Sequence, residues 1–278
     1  MLPYLSADAL DPIAAVDALE RALLGGLDVD ADPPRVALPL GADGGELLVM
    51  PSSLGAVKLV SIGGDPRIQG VCVVFDPDTL APVALVDGIS LTNLRTAAVS
   101  ALAVRRLAAP DARRALIFGR GPQGAAHAAA LRAVAPTLEV VDVVGREGAA
   151  EAAGAIESYD LICCATTARE PLFDGARVAD HATVVAIGSH EPGAREVDGA
   201  LAGRATVVVE SRATALREAG DVILAIGEGA LREDALIELA DVVRGAVAVD
   251  RASGPAFFKS TGMAWEDAVV ASAVVAGA

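Results

Sequence analysis

Aromatic side chains and cysteines are scarce in this chain of 278 residues. Phe, Tyr and Trp make up 3% of it, whereas 53% is hydrophobic, so the core has to be built mainly from Ala, Val, Leu and Ile. The three cysteines, Cys72, Cys163 and Cys164, are odd in number and form no CxxC motif. Because Cys163 and Cys164 are adjacent in an apolar strand pattern, they point to opposite faces and are expected to be core thiols. The sequence thus favours neither a disulfide framework nor a cysteine metal site.

Basic residues are in the minority. The chain has 22 Lys and Arg residues against 37 Asp and Glu residues, a formal net charge of −15. Binding to a phosphate backbone or to an anionic membrane surface needs clustered positive charge. We therefore expect no nucleic-acid partner and no membrane partner.

Long hydrophobic runs are also lacking, although the mean hydropathy is +0.49. The apolar stretch Ala268–Ala278 is too short to cross a bilayer, which takes about 20 residues. The N-terminal segment has no basic region and carries Asp8 and Asp11, so no signal peptide is predicted. We expect a cytoplasmic protein.

The stretch Leu116–Ala130 reads LIFGRGPQGAAHAAA, in which β-formers, a glycine turn and an alanine-rich helical segment follow one another. Gly119 allows a tight turn, Gly121 lets the backbone approach a pyrophosphate, and Gly124 lets the helix lie close to the strand. The N–H groups at the helix N-terminus then face the negative charge of the ligand. This pattern predicts a dinucleotide site.

The first third of the chain predicts a separate α+β region. A helical region runs from Ser6 to Gly26, and a second helix is predicted at Leu91–Leu107. Between them, short β-like segments alternate with turn signals, which favours antiparallel hairpins. These segments are Arg35–Leu40, Glu46–Met50, Ala56–Ile62, Gly70–Phe75 and Val83–Val86.

From Arg114 onward, strands alternate with helices. The predicted strands are Ala115–Phe118, Leu138–Val144, Leu161–Ala165, Thr183–Ile187 and Thr206–Val209, and the predicted helices are Ala213–Gly220, Leu231–Gly245 and the tail from Phe257. Several of the strands are unbroken apolar runs, which is typical of strands buried on both faces. The fold class is therefore α/β, a Rossmann-type doubly wound parallel sheet beside an α+β domain. We expect residues 111–250 to form the dinucleotide domain, and residues 1–110 with 251–278 to form the other.

The end of the second predicted strand bears on the choice of cofactor. NAD-selective sites usually carry an acidic residue there, which binds the ribose hydroxyls. This chain has Gly145 followed by Arg146, whose guanidinium suits a 2′-phosphate, although Glu147 brings a negative charge nearby. NADP(H) is therefore favoured, and NAD(H) remains possible.

Several segments together resemble the ornithine cyclodeaminase/μ-crystallin family. They are LLVMPSS, AVKLVSI, QGVCVVFD, LTNLRTAAVSALAVRRLA, the glycine loop, AIGSHEPGAREVD, LREAGDVILAIGEG and FFKSTGMAWEDAVVAS, and they follow the order of the family over nearly the whole chain. The resemblance implies a substrate-binding and dimerisation domain that the C-terminal helix completes, a Rossmann domain, and a homodimer.

The resemblance also implies site residues. Arg35, Lys58 and Arg95 match the positions with which the family holds the α-carboxylate of a small substrate, and Lys58 is also a catalytic candidate. The positions that match dinucleotide contacts are Thr96, Gly119, Gly121, Gln123, Thr166, Thr261 and Gly262. Gly124 of the glycine loop and Arg146 after the second predicted strand are also predicted to bind the cofactor.

The chain departs from the family pattern at four places. His190 replaces the aspartate that relays protons in the cyclodeaminases, and its ordinary pKa of about 6.5 suits acid–base catalysis. Leu48 replaces the glutamate that holds the amine of ornithine, although Glu46 would lie on the same strand face. Arg67 replaces a threonine near the substrate carboxylate. Finally, the segment after Arg146 lacks about one strand and one helix, a loss that leaves the sheet intact if the missing strand is an edge.

These features predict an NAD(P)H-dependent reductase of an imine with an α-carboxylate, such as pyrroline-2-carboxylate or piperideine-2-carboxylate, that gives a cyclic amino acid such as L-proline. Ornithine cyclodeaminase activity, which converts L-ornithine to L-proline and ammonia with NAD, is the main alternative. An alanine dehydrogenase-like enzyme and a non-catalytic crystallin-like binding protein are further alternatives.

Overall fold

The structure is a computed structural model of Met1–Ala278, of which residues 1–41 and 44–278 are described. The chain divides into two compact units. Unit 1 comprises Met1–Val99 and Met263–Ala278, and unit 2 comprises Ser100–Gly262. The domain boundaries expected from the sequence, near residues 110 and 250, both lie inside unit 2.

The described residues form thirteen strands and nine α-helices. The strands are β1 (Tyr4–Leu5), β2 (Val36–Leu40), β3 (Gly45–Ser52), β4 (Ala56–Ile62), β5 (Ile68–Phe75), β6 (Pro82–Asp87), β7 (Arg114–Phe118), β8 (Val140–Val144), β9 (Leu161–Cys164), β10 (Thr183–Ala186), β11 (Thr206–Val209), β12 (Ile237–Glu238) and β13 (Ala256–Lys259). The helices are α1 (Pro12–Leu24), α2 (Gly88–Leu107), α3 (Pro122–Val134), α4 (Arg146–Gly154), α5 (Gly199–Arg204), α6 (Arg212–Glu218), α7 (Gly220–Gly227), α8 (Leu239–Val243) and α9 (Ala264–Ala276).

Unit 1 is built on a six-stranded sheet in the order β1-β6-β5-β4-β3-β2. Strands β2 to β6 pair antiparallel with their neighbours in sequence, which confirms the predicted hairpins. Strand β1 pairs parallel with β6 and was not predicted, because two residues carry no alternation pattern. Helix α9 packs against β3, β4, β5 and β6, so it covers one face of this sheet.

The N-terminal helical region consists of two pieces. Ser6 is the N-cap residue of a single 3₁₀ turn at Ala7–Ala9. Helix α1 starts at Pro12, and its N-cap residue Asp11 accepts a hydrogen bond from the Ile13 N–H. Proline has no N–H to offer to a preceding turn and suits the first position of a helix. The proline therefore sets where α1 begins.

Unit 2 contains a seven-stranded sheet in the order β12-β11-β13-β10-β9-β7-β8, and all of its strand pairs are parallel. Strands β9, β10 and β13 are buried along their whole length. Adjacent Cys163 and Cys164 are buried free thiols of β9, as predicted. The α/β class with a doubly wound parallel sheet is confirmed.

The C-terminal part of unit 2 differs from the prediction. The segment from Phe257 is not helical at first, because Ala256–Lys259 forms β13 between β10 and β11. The predicted helix Leu231–Gly245 contains β12 and the short α8 instead, and helix α7 was not predicted. A buried apolar run of four residues does not distinguish strand from helix, so only pairing with two neighbours decides the conformation of β13.

Strand β8 is an edge of the parallel sheet, and the ladder continues without a gap from β12 to β8. The chain returns from β8 to the sheet through α4 and a short 3₁₀ turn. Four of the five β8 residues are half-buried and Val140 is exposed. The sheet is thus intact even though the segment after Arg146 is short. No helix among the described residues is both long and apolar enough to cross a bilayer.

Candidate active site

Two buried cations in unit 1 form ion pairs with the first turn of α9. Lys58 lies on β4 between Met50 and Cys72, on the sheet face that α9 covers, and Arg95 lies on α2; their exposed fractions are 2% and 6%. Lys58 Nζ lies 2.7 Å from Asp267 Oδ1. Arg95 Nη1 lies 2.8 Å from Glu266 Oε2, and its Nε lies 3.0 Å from Asp267 Oδ1. The structure therefore brings Lys58 and Arg95 together.

Arg35 belongs to the same group of charges. It is half-buried and precedes β2 by one residue, and its positive charge contributes to a lowered pKa of Lys58. The three cations Arg35, Lys58 and Arg95 are called the cation cluster below. Two of them, Lys58 and Arg95, form ion pairs with the buried carboxylates of Glu266 and Asp267.

Glu266 and Asp267 were not predicted as site residues. They are 0% and 1% exposed, and they stand in the first turn of a helix that is otherwise apolar. Carboxylates are almost never fully buried unless they are paired. Two adjacent acids in an apolar helix are therefore the sequence signal that could have revealed partners for buried cations.

Lys58 has a pKa lowered to about 8. Burial is the largest cause, because a low-dielectric interior disfavours the charged amine. The neighbouring Arg95 charge lowers the pKa further, whereas Asp267 raises it. Lys58 can thus exchange a proton close to neutral pH.

Two predicted substrate residues of unit 1 lie away from the cation cluster. Glu46 is exposed and pairs with Ile62, four residues along β3 from Met50, which pairs with Lys58. At about 3.4 Å per residue, this separation is about 14 Å. Arg67 is exposed in the turn between β4 and β5, at the same end as Glu46. Leu48, in contrast, is buried in an apolar cluster with Met50, Val60 and Ala264.

In unit 2, the predicted dinucleotide residues lie at one edge of the sheet. The carboxyl ends of parallel strands meet at the same edge, where ligands of doubly wound sheets bind. The glycine loop follows β7, Thr166 follows β9 and Thr261 with Gly262 follows β13. His190 follows β10 in the same way and is half-buried. Thr96 is the exception, since it is a buried residue of α2 in unit 1.

The glycine loop has the geometry of a pyrophosphate site. Gly119 has φ +118°, and a Cβ there would lie 2.3 Å from the Ala165 carbonyl oxygen. A Cβ at Gly124 would lie 1.8 Å from the Gly119 carbonyl oxygen, whereas one at Gly121 would meet no protein atom within 4 Å. The protein itself therefore requires two of the glycines, and the third leaves open space for a ligand.

The N-terminus of α3 faces this open space. Gly121 is its N-cap residue and gives no side-chain cap, and Pro122 and the half-buried Gln123 follow. Backbone N–H groups at such a helix start bind anions. The residues present thus suit a dinucleotide pyrophosphate, which this loop and the α3 N-terminus would hold.

A buried glutamate that was not predicted supports the Thr166 segment. Glu196 is 0% exposed; its Oε1 accepts hydrogen bonds from the Thr166 N–H and hydroxyl, and its Oε2 accepts one from the Gly188 N–H at 2.7 Å. Burial raises the pKa of Glu196, while Lys259 and the Thr166 hydrogen bonds oppose this shift. One carboxylate thus ties together the segments after β9 and β10.

A second buried glutamate does the same for the segment after β13. Glu210 accepts hydrogen bonds from the Ser260 hydroxyl at 2.6 Å and from the N–H groups of Thr261 and Gly262 at 2.8 and 3.0 Å. Gly262 has φ +79°, a conformation that favours glycine. Glu210 directly follows β11. A charged residue at the end of an apolar strand is a sequence signal for a buried carboxylate of this kind, and Glu210 was not predicted as a site residue.

The segment that carries His190 is held by a buried lysine. Lys259 Nζ donates to the Ser189 carbonyl oxygen at 2.8 Å and forms an ion pair with Asp221 Oδ2, also at 2.8 Å. Asp221 Oδ1 in turn accepts the N–H groups of Glu196 and Val197. His190 therefore follows a residue whose backbone is bound to a fully buried ion pair.

The end of β8 carries a basic pair. Arg146 is exposed as the first residue of α4, and Gly145 before it gives no side-chain cap. The side chain of Arg120, from the glycine loop, lies over Gly145, and its Nε donates to the Val143 carbonyl oxygen at 3.2 Å. Arg120 was not predicted as a site residue.

The model of the ornithine cyclodeaminase/mu-crystallin family matches residues 6–153 and 147–277, nearly the entire chain. The chain belongs to this family, as its motifs predict. The two matched segments overlap at residues 147–153.

Two curated reductases and one solved structure are similar to this chain over most of its length. The chain is 35% identical over 230 aligned positions to a Delta(1)-pyrroline-2-carboxylate reductase of Paracoccus denitrificans, covering 75% of this chain and 73% of the relative. It is 32% identical over 303 positions to Delta(1)-pyrroline-2-carboxylate reductase 2 of Burkholderia ambifaria, covering 93% and 94%. Among solved structures, the Thermococcus litoralis Delta(1)-pyrroline-2-carboxylate reductase in complex with NADH and L-proline superimposes with a TM-score of 0.89 at 29% identity, covering 99% of this chain and 96% of that one.

Two glycine substitutions separate folding from ligand binding. Gly124→Ala should lower the melting temperature by about 2–10 °C, because its Cβ would collide with the Gly119 backbone. Gly121→Ala should leave the melting temperature unchanged and weaken dinucleotide binding about tenfold or more, since its Cβ points into open space where a pyrophosphate would lie. Thermal unfolding and fluorescence titration measure the two effects. Equal melting temperatures for the two variants would contradict this account.

Proposed function

We propose that this chain is an NAD(P)H-dependent reductase of imines that carry an α-carboxylate, such as pyrroline-2-carboxylate and piperideine-2-carboxylate, and that it forms a cyclic amino acid such as L-proline. The observation that carries the proposal is the buried cation cluster, in which Lys58 and Arg95 share Asp267 as an ion-pair partner and the charge of Arg35 acts on Lys58. The relatives that are named pyrroline-2-carboxylate reductases support the same reaction.

The proposed roles follow from the chemistry of each group. Arg35, Lys58 and Arg95 hold the substrate carboxylate, with the arginines suited to bidentate contacts. When bound, the reduced dinucleotide supplies the hydride for the carbon of the C=N bond. The π electrons of that bond then move to the nitrogen, and His190 delivers a proton there, directly or through water. The product is the secondary amine, so the atoms and charges balance.

The dinucleotide is assigned to unit 2. The glycine loop with Gly119, Gly121 and Gly124 binds the pyrophosphate, with Gln123 beside it. Thr166, Thr261 and Gly262 contact the nicotinamide half, and Thr96 is a further contact that the family resemblance implies. The buried carboxylates of Glu196 and Glu210 support this assignment, because each holds a loop of this set in one conformation. Arg146 at the end of β8 favours NADP(H) over NAD(H).

The environment of Leu48 favours the imine reductase over ornithine cyclodeaminase. Where an ornithine-acting enzyme needs a carboxylate for the side-chain ammonium, this chain has a leucine that is 3% exposed in an apolar cluster. Glu46, the nearest acid on that strand face, is exposed and lies about 14 Å from the position opposite Lys58. A cyclic imine has no side-chain ammonium and needs no such partner.

We also propose a homodimer. Strand β2 is an edge of the unit 1 sheet, and its Val36, Leu38 and Leu40 side chains are 50%, 46% and 46% exposed. An apolar edge strand is a surface that a second chain commonly covers. A second copy of this chain is the occupant that the family resemblance implies.

We further propose that the enzyme works in the cytoplasm. Its cysteines, Cys72, Cys163 and Cys164, are free and buried in the structure. Unpaired cysteines are typical of proteins from reducing compartments.

The reaction itself is tested first. The purified protein is mixed with pyrroline-2-carboxylate or piperideine-2-carboxylate and with NADPH or NADH, and absorbance at about 340 nm is followed, where reduced nicotinamide absorbs. We expect consumption of the reduced cofactor, faster with NADPH. A parallel incubation with L-ornithine and NAD should release no ammonia. Proline and ammonia from ornithine, without activity on either imine, would replace this proposal by the cyclodeaminase reaction.

The proton donor is tested with two histidine variants. His190→Ala should lower kcat about 100-fold, because protonation of the nitrogen loses its positioned donor. His181→Ala is the matched control, since His181 is an exposed histidine of the same unit whose ring pairs with Asp160. The control should retain the kcat of the natural protein. Equal rates for the two variants would remove His190 from the mechanism.

The lowered pKa of Lys58 predicts a pH dependence. Below about pH 8 the amine is protonated and binds the carboxylate, and above it the charge is lost. The kcat/KM of the imine should therefore show a decline that sets in near pH 8, in addition to the effect of deprotonating His190 at lower pH. Lys58→Arg should remove this decline, because a guanidinium stays charged. A decline that persists unchanged in Lys58→Arg would assign it to another group.

A further inference from the structure

The side chain of Arg120 leaves the glycine loop and crosses to the neighbouring strand. Its Cδ and Cγ lie 3.3 and 3.6 Å from the position that a Cβ would take at Gly145, and its Nε donates to the carbonyl oxygen of Val143 on β8. This bond uses one of the five N–H donors of a guanidinium. The contacts place an exposed cation at the end of β8, beside the residue with which NAD-selective sites bind the ribose.

Gly145 leaves room for this arrangement. A Cβ there would lie 3.3 Å from Arg120 Cδ, so the flexible Arg120 side chain would have to move by a few tenths of an ångström. Gly145 is also the N-cap residue of α4 and leaves the first N–H groups of that helix without a side-chain partner. The absence of an acid at position 145 thus both removes a negative charge and makes room for a guanidinium.

Arg120 and Arg146 both lie next to Gly145, one in space and the other in sequence. Arg120 reaches it from the loop after β7, and Arg146 follows it as the first residue of α4. Strands β7 and β8 are hydrogen-bonded neighbours, so their ends are about 5 Å apart. The nearby acid in sequence is the exposed Glu147, whose single negative charge offsets half of the two positive charges. The pair thus keeps a net positive charge, which attracts a phosphomonoester.

We propose that Arg120 is a specificity-determining residue for the dinucleotide: together with Arg146 it binds the 2′-phosphate of NADP(H). The proposal rests on the proposed function only in that a nicotinamide dinucleotide binds at the glycine loop. Guanidinium groups form short, charge-assisted hydrogen bonds to phosphate, and these are lost when the ligand carries a hydroxyl instead.

The proposal is tested by binding, which needs no turnover. The dissociation constants of NADPH and NADH are measured by titrating the fluorescence of the reduced nicotinamide, with thermal unfolding as a check on folding. Arg120→Ala should weaken NADPH binding about tenfold or more and change NADH binding less than twofold. Arg132→Ala is the matched control, because Arg132 is an exposed arginine in the last turn of α3. It should change neither constant.

Two further measurements isolate the phosphate. The NADPH affinity of the natural protein should fall with added salt, and this fall should be smaller in Arg120→Ala, which has lost one positive charge at the site. Gly145→Asp should shift the preference from NADPH to NADH, because the aspartate carboxylate repels the 2′-phosphate and accepts hydrogen bonds from the ribose hydroxyls.

Specific outcomes overturn the proposal. If Arg120→Ala weakens the binding of NADH and of NADPH by the same factor, Arg120 contacts a part of the molecule that both cofactors share, such as the adenine ring. If neither constant changes, or if the natural protein binds the two cofactors equally, Arg120 does not select the cofactor. A protein that discriminates between the cofactors through Arg120 but reduces no imine would contradict the proposed function alone.

Discussion

Lys58 and Arg95 can remain charged inside unit 1 because Glu266 and Asp267 neutralise them there. An unpaired buried charge costs several kcal/mol, and removal of one partner of a buried pair typically costs about 3–5 kcal/mol. Lys58 and Asp267 are 209 positions apart in the sequence, so the start of α9 has to return to the sheet before the cation cluster can exist. The proposed substrate site of unit 1 therefore depends on the C-terminal helix as much as on the strands.

Unit 2 uses buried carboxylates for a related purpose. Glu196 and Glu210 accept hydrogen bonds from backbone N–H groups of the loops that follow β9, β10 and β13. Loops at the end of a parallel sheet have N–H groups that no strand partner can satisfy. A buried carboxylate satisfies several of them at once and holds Thr166, Thr261 and Gly262 in one conformation, which is the condition for precise positioning of a ligand.

The parts of the fold that could be predicted are those with a local signal. The five hairpin strands of unit 1 show alternation and turn residues. Strands β7 to β11 are short apolar runs, and all of them except β9 are followed by an α-helix. Strand β13 could not be predicted, because the same four residues suit a helix and only their place between β10 and β11 makes them a strand. That pairing also explains why residues up to Gly262 belong to unit 2, beyond the expected boundary.

The sequence by itself determined the family, the α/β class and the glycine loop, because these depend on short-range patterns and on residue identity at matched positions. It also named Arg35, Lys58 and Arg95 as a group. The tertiary structure alone decided which charges neutralise them, how Glu196 and Glu210 hold the loops, and that Arg120 lies across Gly145. Each of these depends on atoms from distant segments meeting in a low-dielectric interior or at a strand end, and no local pattern encodes such a meeting.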